Sequence, residues 1–433
     1  PAHGGEHDRR GRGNRSAAGN AAATVTISQP ANGAFTPIVI NLAANSSTTE
    51  DLTAFIADLE TTPANTILST GLLIESTTEI TAYYEVSTSN NPDIWALKGE
   101  NGLGTEFYAP IQNLWPNGTY TPTPYTSFDI VATEDNTTVL VFPTEDLDGG
   151  QPAFQSFTIT LDRGETYSAS VTNTSTAANN PSGSIIVSDK PIAVSIKDDS
   201  IRPTGQGCRD LNGDQIVPVD IVGDEYIVNK GGLSVATEEY AYVIATQNNT
   251  VISVDGVVET TLFNAETYPI LITNDLTYIT GDKPFYLIHI SGFGCESGMA
   301  QLPPLNCAGS EAVNFVRSST ESFFIKLLVP SGSEDAFVLN GDANAIDPAD
   351  FQAVPGTGGA WVGAQIEFNN TEIPQGQQNL ITNTEEVFSL GLINGGASTG
   401  CRFGYFSEFA AEIIVDAGPD QTVCANRDTE LDG

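Results

Sequence analysis

Few residues in this chain have types and spacing that can do chemistry. Gly396-Ala-Ser-Thr-Gly400 has the pattern of a nucleophile elbow, with Ser398 as the nucleophile. An elbow needs a strand before it, a helix after it, and an acid and then a histidine later in the chain. Here Cys401-Arg-Phe-Gly-Tyr405 follows, and the last histidine is His289, so the stretch reads as a glycine-rich loop. His3 and His7 stand in a polar leader, and His289 alternates with apolar neighbours as a strand residue hydrogen-bonded in place. Gly356-Thr-Gly-Gly359 lacks the strand-to-helix setting that phosphate binding requires and reads as a turn. Calcium is the better candidate. Asp210, Asn212 and Asp214 put oxygen side chains at alternating positions around Gly213, the first half of a Ca²⁺ loop. The twelfth position holds Ile221 where a bidentate acid belongs, with Asp220 beside it. Asn340-Gly-Asp-Ala-Asn344 with Asp347 and Asp350 is a second oxygen-rich cluster.

The five cysteines are Cys208, Cys295, Cys307, Cys401 and Cys424, and no two have C-x-x-C spacing. Disulfides in an oxidising compartment are therefore expected over zinc. Cys424 is expected to pair beyond Gly433, leaving Cys208, Cys295, Cys307 and Cys401 for two bridges of undetermined pairing, with the short Cys295 to Cys307 loop the first choice. Trp95, Trp115 and Trp361 are candidate sugar platforms, but their apolar neighbours favour burial. Among 54 acids nothing selects a catalytic carboxylate pair.

Only 16 Lys and Arg face those 54 Asp and Glu, for a net charge of −38. Such a surface repels nucleic acid and anionic membranes. Each apolar run is too short to span a bilayer. The chain starts at Pro1, which reads as the product of signal-peptide removal, and residues 1–20 read as a flexible leader.

The elements that must position these residues are strands. Ile130-Val-Ala-Thr-Glu-Asp-Asn-Thr-Thr-Val-Leu-Val141 returns as Val243-Ile-Ala-Thr-Gln-Asn-Asn-Thr-Val-Ile-Ser-Val254, and each copy predicts a β-hairpin with a polar turn. Gly-Glu-Thr-Tyr167 is echoed by Ala-Glu-Thr-Tyr268, and Ser-Asp-Lys-Pro191 by Gly-Asp-Lys-Pro284, each Asp-Lys-Pro predicting a turn. Gly207-Cys208 is echoed by Gly294-Cys295, each followed by a proline-containing apolar patch. One helix is expected: Ser47-Thr-Thr-Glu50 offers a capping box, and Leu52, Phe55, Ile56 and Leu59 keep helical spacing until Pro63. Weaker echoes on both sides extend the count to four. The expectation is an all-β tandem array of about four β-sandwich-like modules over 21–100, 101–220, 221–307 and 308–412. Residues 413–433 read as a linker and the start of a further domain.

These motifs, closed by Arg402-Phe-Gly-Tyr-Phe406, resemble the IgGFc-binding-protein N-terminal domain family over residues 65–410. Asp416-Ala-Gly-Pro-Asp-Gln-Thr-Val-Cys424 resembles the opening of the Ig-like or PKD-like repeats in large secreted Bacteroidota proteins. What the resemblance implies is a secreted, non-catalytic surface or adhesion protein, with gliding and adhesion as its setting and no antibody-binding residue assigned. Its expected partners are other proteins, surface glycans or copies of itself in a homopolymer, with no nucleic acid and no membrane insertion. A carbohydrate-active enzyme or glycan-binding module is the alternative.

Overall fold

The Val, Ile, Thr and Tyr content of the repeated stretches favours pleated, half-buried backbone over helix, and the chain builds strands almost throughout. The computed structural model describes residues 12–19, 21–88, 90–172, 180–409, 412–415 and 421–424. Its fold class is all-β.

The expected helix shrinks to one 3-10 turn, Thr53–Phe55, and the four-residue α-helix Ile56–Leu59. Its capping box does not form, because Ser47–Asp51 is a strand laid antiparallel on Arg12–Ala18. β-branched Thr48 and Thr49 gain a ladder there that no short helix would supply. Arg12–Ala18 is itself a strand between Ser47–Asp51 and Ile80–Val86, so the leader expected to run to residue 20 is structured from Arg12. Residues 1–11, including His3 and His7, lie outside the described residues.

The two repeated stretches are not hairpins. Thr126–Ala132 pairs with residues 192–198 of the long strand Ile185–Ile201, whereas Thr137–Phe142 pairs with residues 185–188 of it. In the second copy Tyr240–Ala245 lies on Phe285–Gly294 and Thr250–Val254 on Leu276–Gly281, in separate sheets. The polar turn is an arch that in the first copy carries the chain from one end of the long strand Ile185–Ile201 to the other within one sheet, and in the second copy from one sheet to another. Thr126–Ala132 is buried on both faces and Thr137–Phe142 buries alternate side chains, and each finds its ladder partner on Ile185–Ile201 and not on the other. Both arches use the same chemistry: Asn136 and Asn249 take φ of 54° and 57°, and Thr137 and Thr250 donate Oγ1 to the carbonyls of Glu134 and Gln247 at 2.7 and 2.8 Å.

The Asp-Lys-Pro segments differ. Asp189-Lys-Pro191 is not a turn but lies inside the 17-residue strand Ile185–Ile201, with a register shift between residues 187 and 192. Asp282-Lys-Pro284 does separate two strands, Leu276–Gly281 and Phe285–Gly294. Each Asp still accepts the N–H of the equivalent arch residue, Thr138 at 2.7 Å and Val251 at 2.8 Å.

Four strands occupy the centre: Asp93–Ala96, Asp210–Ile216, Glu296–Gln301 and Gly400–Tyr405. Each is antiparallel to the apolar strand before it, respectively Ile80–Val86, Ile185–Ile201, Phe285–Gly294 and Ser389–Gly396. In the order given, each packs against the next, and the last packs against the first. One apolar core spans residues 107–299 with Phe409, and another joins Tyr83, Ile94 and Ala96 to residues 313–406. Glu412–Val415 and Gln421–Cys424 pair with each other, and the segments around them lie outside the described residues.

Candidate functional site

The oxygen-rich segment expected to hold calcium is the inner strand Asp210–Ile216, with Asp210, Asn212 and Asp214 buried on one face of it. Alternate residues of a strand share a face, which explains the spacing without a metal loop. Asp214 Oδ1 pairs with Lys98 Nζ at 2.7 Å and Oδ2 accepts the Gln301 N–H at 3.0 Å. Asp210 Oδ2 accepts from Ser297 Oγ at 3.4 Å. Burial and then Glu296 push the Asp210 carboxyl well above the ordinary carboxylate range. Among the described residues no group of three His, Cys, Asp or Glu is arranged to hold a metal. The second cluster is likewise made of turns: Asp342 accepts the Asn344 N–H and Asp347 the Ala349 N–H, both at 2.9 Å.

Cys208 bonds to Cys295, with Cα atoms 5.7 Å apart, which replaces the short Cys295 to Cys307 loop. Cys307 is also disulfide-bonded, whereas Cys401 is a buried free thiol, pushed well up by burial. Cys401 sits on an inner strand inside an apolar core, and that placement keeps it from any bridge. The side chain of Cys424 lies outside the described residues.

Several polar residues of the centre carried no signal that motif reading would find. Asp93 is fully buried, accepts the N–H groups of Ile94, Phe403 and Gly213 at 2.9, 3.3 and 3.2 Å, and thereby ties three inner strands. Gly213 is required there, since a Cβ would stand 2.5 Å from the Trp95 ring. Glu85 meets Arg15 at 2.5 Å and Arg402 at 2.8 Å. Burial alone would raise Glu85, but the two guanidinium groups outweigh it and hold the carboxyl below its ordinary range. His289 is buried as expected, 2.8 Å from Glu239 and edge-on to Phe403. The signal available was compositional: three of the four inner strands mix Gly or Ala with acids and the fourth, Gly400–Tyr405, carries two glycines and an arginine, which reads as a loop unless the four are compared.

Open space lies elsewhere, around Leu97–Glu100. A cleft of about 620 Å³ runs between the Leu73–Ser76 strand and the large sheet, past Leu72, Ile74, Val131 and Ala193, with Glu75, Glu100 and Arg163 among its lining residues. A smaller apolar cavity of about 160 Å³ shares Leu72, Ile74 and Val131 with it. A pocket of about 390 Å³ shares Ile80, Ala82 and Glu100, and adds Glu79, Glu408 and Phe406.

The model of a family described as IgGFc binding protein matches residues 95–392. The chain belongs to this family. The match runs from Trp95 on the first inner strand to Leu392 beside the fourth, so it takes in both copies of the arch. No curated protein matches the chain. Within the family frame the cleft is formed by matched residues on one wall, Leu97, Val131 and Ala193, and by Leu72 to Ser76 ahead of the match on the other. Ser398 lies exposed in the turn of the hairpin Ser389–Gly396 and Gly400–Tyr405, without the helix an elbow needs. Trp95 and Trp115 are buried and cannot serve as sugar platforms, and Trp361 packs partly buried beside Leu276 and Leu328. No helix among the described residues is long and apolar enough to cross a membrane.

Proposed function

We propose that this chain is a non-catalytic, secreted protein-binding module of a cell-surface or adhesion protein. The supporting observation is the cleft around Leu97–Glu100, in a chain whose family is named for binding a protein. Apolar walls bury a partner's side chains, and Glu75, Glu79, Glu100 and Glu408 favour a segment carrying Lys or Arg. The four-unit division over 21–100, 101–220, 221–307 and 308–412 belongs to this reading, with the units arranged in a ring about the inner strands. The segment after 412 would begin an Ig-like or PKD-like repeat.

The test is titration against immunoglobulin Fc, a basic peptide library and a glycan array, with Glu75→Lys/Glu100→Lys as the control. Binding of a protein or peptide ligand that weakens with salt and falls about tenfold or more in the control supports the reading. Glycan binding alone, untouched by the control, overturns it in favour of the glycan-binding alternative.

Self-association into fibres is a second reading, favoured by one edge strand. Val257–Leu262 ends its sheet with Val257 and Val258 69% and 64% exposed. Bare apolar edges template pairing between copies. Sedimentation in which Val257→Lys abolishes assembly would support it, and a monomer at all concentrations would exclude it.

A further inference from the structure

Lys98 follows the first inner strand and Asp214 lies on the second, 116 residues on. Their side chains are 2% and 1% exposed, and Nζ stands 2.7 Å from Oδ1. Nζ also donates to the Ala96 carbonyl at 3.0 Å and lies 5.3 Å from the centre of the Phe409 ring. The other carboxylate oxygen, Oδ2, accepts the Gln301 N–H at 3.0 Å. An amine is thus fixed against one oxygen of a carboxyl group whose second oxygen is held by an amide donor, with both side chains almost fully buried.

We propose that Lys98 and Asp214 condense into an intramolecular amide, a covalent cross-link between the first two units of the inner-strand ring. The Nζ lone pair adds to Cγ of Asp214, and negative charge develops on Oδ2, where the Gln301 N–H already points. Two Nζ protons pass to Oδ1, the Cγ–Oδ1 bond breaks and Oδ1 leaves as water. The charged pair or the neutral pair gives the same products, so no oxidant, reductant or cofactor enters. Fixed contact between amine and carboxyl replaces a bimolecular encounter, the large entropic part of such a barrier. Burial pushes Lys98 down and Asp214 up, toward the free amine and neutral acid that react. An unreacted pair would instead carry the desolvation cost of a buried ion pair.

Intact-mass spectrometry of the full chain, reduced and denatured, tests this. The expected mass is one water below that of the sequence. A protease digest should contain a branched peptide joining the Lys98 and Asp214 segments. Lys98→Arg should have its full sequence mass, since a guanidinium does not condense. Asp214→Asn should lose one ammonia instead of water and reach the same final mass as the native chain. A native chain at full sequence mass, with Lys98 open to acylation once unfolded, overturns the proposal whether or not Lys98→Arg folds.

Discussion

The two arch copies share their turn chemistry and differ in what lies beneath it. In the first, Asp198 is held by Gln112, Asn117 and Thr126 at 2.7, 2.9 and 2.7 Å. Strand pairing makes Ser291 its counterpart in the second copy, as the partner strands enter at Ala132 opposite Ile192 and at Ala245 opposite Phe285. Ser291 belongs to a different buried set: it donates to Glu239 at 3.1 Å, Glu239 meets His289, and Lys326 Nζ donates to Ser291 at 3.2 Å. One copy buries Asp198 among neutral hydrogen-bond donors, with the charge of the buried Lys197 beside it in sequence, and the other sets an acid against a histidine and a lysine. The surface turn was preserved while the interior was rebuilt around each copy's neighbours. In the second copy those neighbours include Lys326 of the strand Ser322–Pro330, which also reaches the Asn229 carbonyl.

The largest expected effect comes from breaking the bond between the copies. Cys208→Ser/Cys295→Ser releases a separation of 87 residues and should cost about 2–5 kcal/mol by urea denaturation. A loss below about 1 kcal/mol would mean that the shared core, not the disulfide, holds the copies together.

Next in size is an opposite response to pH. Burial raises Asp198 and Asp199 from 3.8 to about 6. The folded first copy therefore holds more protons than the unfolded chain across that window, and its stability falls as pH rises from 3.8 to about 6. In the second copy burial lowers His289 from 6.5, so stability is gained as pH rises toward 6.5 and lost as it falls. Burial would raise Glu239, but His289 and Lys326 outweigh it and hold it low. That contribution is present above the ordinary carboxylate range and is lost with acid. Amide exchange at pH 4.5 and 6.5 should show Thr126–Ala132 losing protection and Tyr240–Ala245 gaining it. Parallel changes would contradict the contrast.

The smallest effect should be equal in both copies. Asn136→Ala and Asn249→Ala remove the short polar side chain that tolerates φ of 54° and 57° and should each cost about 1 kcal/mol. The corresponding glycine variants should stay near neutral by thermal denaturation. Unequal costs would show that only one arch depends on its turn.

The duplication, the all-β class and the family were legible because matched residues recur in order, and each turn keeps its own hydrogen bonds. Whether two strands pair with each other or with other strands was not legible, because apolar alternation is the same for a hairpin and an arch. Ser47–Asp51 misled for a related reason: a capping box is a local pattern, and its strand partner Arg12–Ala18 lies about thirty residues earlier. Asp210, Asn212 and Asp214 have the spacing of metal ligands and also of one face of a strand, and the strand they form packs against two other inner strands, which lie far away in sequence. The cleft was hidden because its walls come from residues 72–76 and 131–193.

The account rests most on the four inner strands, each of which packs against the next and the last against the first. Small-angle X-ray scattering of the 433-residue chain measures this directly. A single packed body of that length should have a radius of gyration of about 22 Å, slightly more with its terminal segments. A radius well above about 30 Å, with the scattering of a rod of separate domains, would contradict the closed centre.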